Sequence, residues 1–339
     1  MNQMRQNFFL LSVLIMLSTI ITIVSCAGDA DRNDRGEAAE ENVTERKEVP
    51  AFNADSAYYF IERQVDFGPR VPNTEAHKEA GKWLAQKLGE FADTLYTQET
   101  RVRAYDGTVL NIKNIIGAFQ PETRRRVLLC AHWDSRPYAD HDPDPQKHYT
   151  PIDGANDGGS GVGVLLETAR LISEHQLDIG IDIIFFDAED YGTHQATAGR
   201  NDESWALGSQ HWAKNPHRPD YMARYGILLD MVGASGATFL REGYSMLYAP
   251  QVVRKVWETG RQLGYENLFP ERDGNYVTDD HYYLNTIRNI PTINIIHQDP
   301  DTRHGFFPEW HTTDDTMDVI DTYTLRAVGE TVLHVIYDE

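Results

Sequence analysis

From about residue 50 the chain alternates between two kinds of hydrophobic pattern. "NADSAYYFIERQVDF" and "TEAHKEAGKWLAQKLGEF" carry apolar residues at helical spacing, with Asn53 or Asp55 and Thr74 placed as N-caps. "TRVRAYDGTVLNIKNIIGAF" alternates apolar and polar positions around an Asp-Gly, which predicts a hairpin. "RVLLCAHWD", "IDIIFFDAED", "YGILLDMVG" and "IPTINIIHQ" are instead short unbroken apolar runs, as expected of strands buried on both faces. Among and after them, "GVGVLLETARLISEH", "ESWALGSQHWAKN", "APQVVRKVWETGRQLGY", "DDHYYLNTI" and "TYTLRAVGETVLHVIY" return to the helical period. Strand and helix in alternation predict an α/β fold, a mostly parallel central sheet with helices on both faces. Neither an internal repeat nor a Pro-rich linker interrupts the pattern, so residues 50–339 are expected to form one domain.

The first residues do not continue that pattern. "MNQMRQNFFLLSVLIMLSTIITIVSC" has an early arginine, a long apolar run and then Ser25 before Cys26, the layout of an export signal. "IVSC" resembles the lipobox of bacterial lipoproteins, in which the cysteine is acylated and becomes the new N-terminus; an uncleaved membrane anchor is the other reading of the run. The expectation is therefore a signal peptide over 1–25, a lipid on Cys26, and a charged, flexible tether over 26–49 that lacks the apolar side chains to fold. Cys130 then has no partner for a disulfide in the mature domain and is expected to be a small core residue.

Composition narrows the partners. The 52 acidic against 31 basic residues give a net charge of −21, which repels nucleic acid and anionic membrane surfaces. Membrane contact is expected through the lipid alone, with a monomeric domain in the bacterial envelope facing the periplasm or the cell exterior. A hydrophobic content of 41% supports a sizeable core.

The candidate chemistry begins with "DAED", three carboxylates in four positions at the end of a buried run. Desolvated carboxylates need a cation, a shared proton or a solvated turn. In a parallel sheet the ligand site gathers beyond the carboxyl ends of the strands. There the first run ends in His132 and Asp134, the second in Glu189 and Asp190, the third in Asp230; "DGANDGGSG" adds Asp157 before a helix, and "HGFFPEWHTTDD" adds His311. That agreement favours a metal over a solvated turn, and imidazole with carboxylate suits zinc or another borderline dication. The glycines around Asp157 are expected to let the backbone approach the ion closely. A phosphate cradle is the weaker reading, because the loop lacks both the Walker lysine and GxGxxG spacing.

"AHWDS", "GANDGGSG", "FFDAED", "LLDM" and "EWHTTDD" together resemble the metal-site motifs of the zinc aminopeptidase family M28, in this order and over residues 50–339. Within that clan, "FGPRVP", "DDH" at Asp279–His281 and "FFPEWH" are more similar still to the animal-type glutaminyl-peptide cyclotransferases and their bacterial relatives. The resemblance implies a zinc-exopeptidase-like α/β/α sandwich and leaves two chemistries. A cyclotransferase would hold one zinc on Asp157, Asp190 and His311, with Asp230 nearby and His132 beside the substrate. Glu189 would move the proton, Asp230 and Asp279 would hydrogen-bond the reacting groups, and Trp310 with Phe306 or Phe307 would wall the substrate pocket. Its substrates would be peptides or proteins with N-terminal glutamine, cyclised to pyroglutamate with release of ammonia. An M28 aminopeptidase would hold two zincs bridged by Asp157, one with His132 and Asp230 and one with Asp190 and His311, and Glu189 would activate water. A third class, a binding lipoprotein with a decayed site, sits poorly with an acid retained beside every ligand. Two departures from the animal enzymes concern the site: they carry glutamate where this chain has Asp190, and a tryptophan soon after the acidic pair. "YGTHQATAGRNDESW" either supplies Trp205 in its place or leaves the pocket more open.

Overall fold

Asn53 and Thr74 begin the fold by capping its first two helices. In the computed structural model, which describes residues 48–197 and 202–339, the Asn53 carboxamide accepts from the backbone N–H groups of Asp55 and Ser56 to start α1 (Ala54–Val65). Thr74 accepts from His77 N to start α2 (Glu75–Phe91). The signal and Cys26 expectations, and the tether over residues 26–47, lie outside the described residues; Val49, expected to be its last residue, already packs against the core. Among the described residues no helix is long and apolar enough to cross a membrane.

The hairpin is longer than the alternation around Asp106-Gly107 indicates. Its first strand, β1, runs Thr94–Arg103 and pairs antiparallel with β2 (Val109–Phe119). The start of β1 escapes the hydrophobic pattern because it is an edge strand whose residues alternate only between exposed and half-buried. The four apolar runs become β3 (Arg126–His132), β4 (Gly180–Phe186), β5 (Gly226–Asp230) and β6 (Thr292–Ile296), buried at every position. The sheet order is β1-β2-β4-β3-β5-β6. β4, β3, β5 and β6 are mutually parallel, whereas β2 meets β4 antiparallel, so the sheet is mixed although mostly parallel.

The crossover helices are α3 (Gly159–Glu174), α4 (Leu207–Lys214), α5 (Gly243–Tyr248), α6 (Pro250–Gln262) and α7 (Asp280–Thr286), with α8 (Thr322–Tyr337) closing the fold. The sequence pattern does not announce α5, a six-residue helix. On one face the core joins α1, α2, α3, α6 and α8 to the sheet through residues such as Ile61, Leu84, Leu165, Val256 and Val332; a second cluster around Ile184, Phe186 and Trp212 covers the other. Cys130 is buried in that second cluster.

The glycines after Asp157 prove to serve packing. A Cβ on Gly161 would stand 2.2 Å from the carbonyl oxygen of Leu229, and one on Gly158, whose φ is +90°, would stand 2.4 Å from that of Asp134. Glycine therefore lets α3 begin directly against β5 and the β3 exit, which draws Asp157 in among the strand ends.

Candidate metal centre

Two buried carboxylates hold the turns of the site in place. The Asp134 carboxylate accepts from Glu189 N at 3.0 Å and Asp190 N at 3.1 Å, tying the β4 turn to the β3 exit. Asp315 does the same for the Asp157 loop, accepting from Asn156 N at 2.8 Å and Asp157 N at 3.0 Å. In "DAED" the first acid points away from the site: Asp187 bonds His77 Nε2 at 2.9 Å and accepts from Lys113 N at 2.6 Å. Ala188 takes a left-handed conformation (φ +52°), as do Met231 after Asp230 (φ +52°) and His311 itself (φ +54°). The turn after β4 thereby separates Asp187 from Glu189 and Asp190.

Among the described residues three groups of ligand-type atoms form: two lie at these exits and share Asp157, and a third, Asp140 with His141 and His311, shares His311. Asp157, Asp190 and His311 bring their donor atoms within 4.8 Å of one another, and so do His132, Asp157 and Asp230. His311 Nε2 lies 3.2 Å from Asp190 Oδ1 and 3.5 Å from Asp157 Oδ2. His132 Nε2 lies 3.1 Å from Asp157 Oδ1 and 3.2 Å from Asp230 Oδ1. Both groups are buried.

The charge at this place is out of balance. Burial, then the neighbouring Asp190, raises the Asp157 pKa; burial raises Asp230 and pushes Asp190 well up. Glu189 is pushed well up by burial and then by Asp279. His311 is lowered to about 4 by burial and the Arg136 charge, which keeps its ring neutral with a lone pair to give. For His132 burial acts downward, but contacts with Asp134, Asp157 and Asp230 win and raise it well above its ordinary value. Asp190 Oδ2 is buried without a hydrogen-bond partner. Crowded, desolvated carboxylates with a neutral imidazole are a donor set that a dication satisfies, so the residues fit zinc.

A cavity of about 530 Å³ opens over this group. Asp157, Glu189, Asp190, Asp230, Asp279 and His311 all line it, as do Trp310, Phe306 and Trp205. The Trp310 ring stacks on His311 with centroids 3.7 Å apart and meets Phe306 at 4.6 Å. Trp205 thus comes from the segment after the acidic pair, its ring parallel to His311 at 6.0 Å. Two placements differ from the sequence expectation. Phe307 is fully buried in a small core cluster with Met231 and Ile296, stacked on His297 at 6.0 Å, and forms no part of the wall. It is Phe306 that faces the cavity. His132 likewise does not line it, being held against Asp157 and Asp230.

Asp279 caps α7, and its Oδ2 accepts from Asn294 Nδ2 at 2.6 Å. Burial, then Asp230, raises its pKa to about 6. The segment carrying it is anchored by Glu242, a fully buried cap of α5. The Glu242 carboxylate accepts from Tyr244 N at 2.8 Å, Ser245 N at 2.6 Å, Val277 N at 2.9 Å and His281 Nε2 at 2.9 Å. Sequence reasoning missed the anchoring roles of Glu242, Asn294 and Asp315, and missed Arg136 with Asp140; only "RPYAD", an Arg-Asp pair directly after "AHWDS", carried a local signal.

The model of peptidase family M28 matches residues 114–336. Aminopeptidase YwaD of Bacillus subtilis is 27% identical over 281 residues, covering 80% of this chain but only 54% of its own length, so the chain spans about half of that relative. The glutaminyl-peptide cyclotransferase of Bos taurus is 28% identical over 299 residues, covering 77% of this chain and 76% of that protein. Among solved structures, a glutaminyl cyclase of Bacteroides thetaiotaomicron bound to N-acetylhistamine is 54% identical with a TM-score of 0.85, covering 86% of this chain and 100% of that one. A Zn-dependent exopeptidase of Parabacteroides distasonis is 57% identical, with the same TM-score and coverages. With its mostly parallel sheet and its acids and imidazoles gathered at the strand exits, the chain belongs to peptidase family M28.

Proposed function

We propose that this protein is a zinc-dependent glutaminyl-peptide cyclotransferase that converts N-terminal glutamine of peptides to pyroglutamate. The observation that carries the reading is the convergence on one cavity of the Asp157–Asp190–His311 group, the buried acids Glu189 and Asp279, and the Trp310–Phe306 wall. The cyclase-named neighbour, matched over its whole length, supports it. One zinc held by Asp157, Asp190 and His311 would polarise the γ-carbonyl of the glutamine.

The residues of the chain supply the rest. The α-amine forms a bond to the γ-carbon and the bond from that carbon to the amide nitrogen breaks, so one proton must leave the amine and one must reach the departing ammonia. Glu189 lines the cavity beside Asp190 and has the raised pKa that suits it to carry that proton both ways. Asp279 and Asp230 accept from the amine and orient it, and the Trp310 and Phe306 rings exclude water, which would otherwise compete for the carbonyl. We place the domain at the bacterial envelope, held by a lipid on Cys26.

One observation favours a second reading: the His132–Asp157–Asp230 group would admit a second zinc and hydrolysis of N-terminal residues. A Gln-initiated peptide followed for ammonia release, beside a Leu-initiated peptide followed for free leucine, separates the two. Cyclisation with one zinc per chain is expected; freed leucine with two zincs per chain and no cyclisation would establish the aminopeptidase.

A further inference from the structure

Arg136 is four residues beyond His132 and only 1% exposed, a depth at which a guanidinium needs partners on every side. Its Nε and Nη2 fork onto Asp140, at 2.8 Å to Oδ1 and 2.7 Å to Oδ2, while Nη1 donates to the carbonyl oxygen of Asp190 at 3.0 Å. Asp140 also accepts from Gln195 N at 2.9 Å and sets Oδ1 3.4 Å from His311 Nδ1, a buried atom that makes no hydrogen bond. The guanidinium carbon stands 4.7 Å over the Trp205 ring, which lies parallel to the ring of His311. One buried cation therefore reaches both members of the Asp157–Asp190–His311 group that the His132 group does not share: Asp190 through its carbonyl oxygen and, at 3.7 Å, its carboxylate Oδ1, and His311 through Asp140.

An imidazole offers a lone pair from one nitrogen only when its proton sits on the other. Asp140 Oδ1 is the carboxylate oxygen that Nδ1 faces, so a proton on Nδ1 would be drawn toward it and leave Nε2 free to face Asp157 and Asp190. The fork is rigid and two-pronged, so it fixes the plane of the Asp140 carboxylate as well as its charge. We propose that the Arg136–Asp140 pair is the positioning device of the metal centre, holding the His311 ring and the Asp190 turn so that the pair sets how tightly the site keeps its ion. The inference rests on the reading of that group as the zinc site, but not on which reaction the site performs.

The test is zinc affinity of the purified chain, measured by competition with a chromophoric chelator for wild type, Asp140→Ala, Asp140→Asn and Arg136→Lys. Outer partners of a ligating histidine typically contribute about 10- to 100-fold in metal affinity, and Asp140→Ala and Asp140→Asn should lose affinity in that range. Arg136→Lys, which keeps the charge but loses the fork, should lose less. Metal-free melting curves identify the variants that remain folded. A folded Asp140→Ala that keeps zinc within about twofold of wild type overturns the proposal. Independently of any variant, zinc-loaded wild type should show an exchange-protected, downfield Nδ1–H proton of His311 by NMR, and its absence overturns the proposal as well. Wild type that takes up no zinc would refute the metal assignment itself.

Discussion

Replacing Glu242 with glutamine tests whether the carboxylate anchor beneath Asp279 carries the stability its geometry implies. The carboxylate is fully buried and accepts from three backbone N–H groups and from His281. Burial alone would raise its pKa, but the His281 charge and these hydrogen bonds outweigh it and lower the pKa from 4.5 to about 2. At about 1.4 kcal/mol per unit, the ionised form contributes roughly 3 kcal/mol at neutral pH. A glutamine offers one acceptor oxygen and turns an NH2 toward donors, so most of that contribution should be lost. Because the folded pKa is the depressed one, the contribution is complete above about pH 4.5 and fades as pH falls toward 2. The gap between wild type and Glu242→Gln, from denaturant unfolding of metal-free protein, should be roughly 3 kcal/mol at pH 7 and about 2 kcal/mol at pH 3.5. A gap below about 1 kcal/mol at pH 7, or one that does not narrow on acidification, would refute the reasoning.

Glu189→Gln breaks no hydrogen bond of the turn, whose backbone is held by Asp134, and should leave folding and zinc binding intact while slowing cyclisation by about 10²- to 10⁴-fold; undiminished ammonia release would remove Glu189 from the proton's path. Cys26→Ser should move the protein from the membrane fraction to the soluble fraction of cells, and unchanged membrane association would favour a signal anchor. Trp205→Ala removes the ring that spans Arg136 and His311, and should raise KM for Gln-initiated peptides and weaken zinc retention; unchanged values for both would make Trp205 a bystander.

Much of the candidate ligand group was legible because parallel topology dictates where it must be. Once four apolar runs are read as buried strands, their carboxyl ends meet at one edge, and whatever those ends carry is brought together. His132, Glu189, Asp190 and Asp230 were found that way, without any local motif such as HExxH. What stayed hidden was the choice between like residues. Asp134 and Asp187 look like ligands in sequence, yet both hold backbone, and the difference depends on partners far away in the chain. Asp157 N meets Asp315 across 158 positions, and Arg136 meets the Asp190 carbonyl across 54. Phe306 and Phe307 are adjacent in an irregular loop, where no period says which ring faces the cavity. The early part of β1 was missed for the opposite reason: an edge strand buries too little to impose a pattern.

The left-handed residues at the exits carry a consequence for thermostability. Outside glycine that conformation costs roughly 1–2 kcal/mol per residue. Ala188, Met231 and His311 stand at three turns that each bring a candidate ligand to the site. Together they hold on the order of 3–6 kcal/mol, a sizeable part of the 5–15 kcal/mol by which folded domains usually exceed their unfolded state. Ala188→Gly would relieve part of that strain at the loss of a single methyl group, whereas Met231 is a buried core side chain that a glycine could not replace. The same Ala188→Gly change would free the backbone that fixes Glu189 and Asp190. Selection for heat resistance and selection for a rigid arrangement of these acids and imidazoles therefore pull these positions in opposite directions, and a stabilised variant of this protein is better sought in the β1–β2 hairpin or the outer helices than at the turns beneath its cavity.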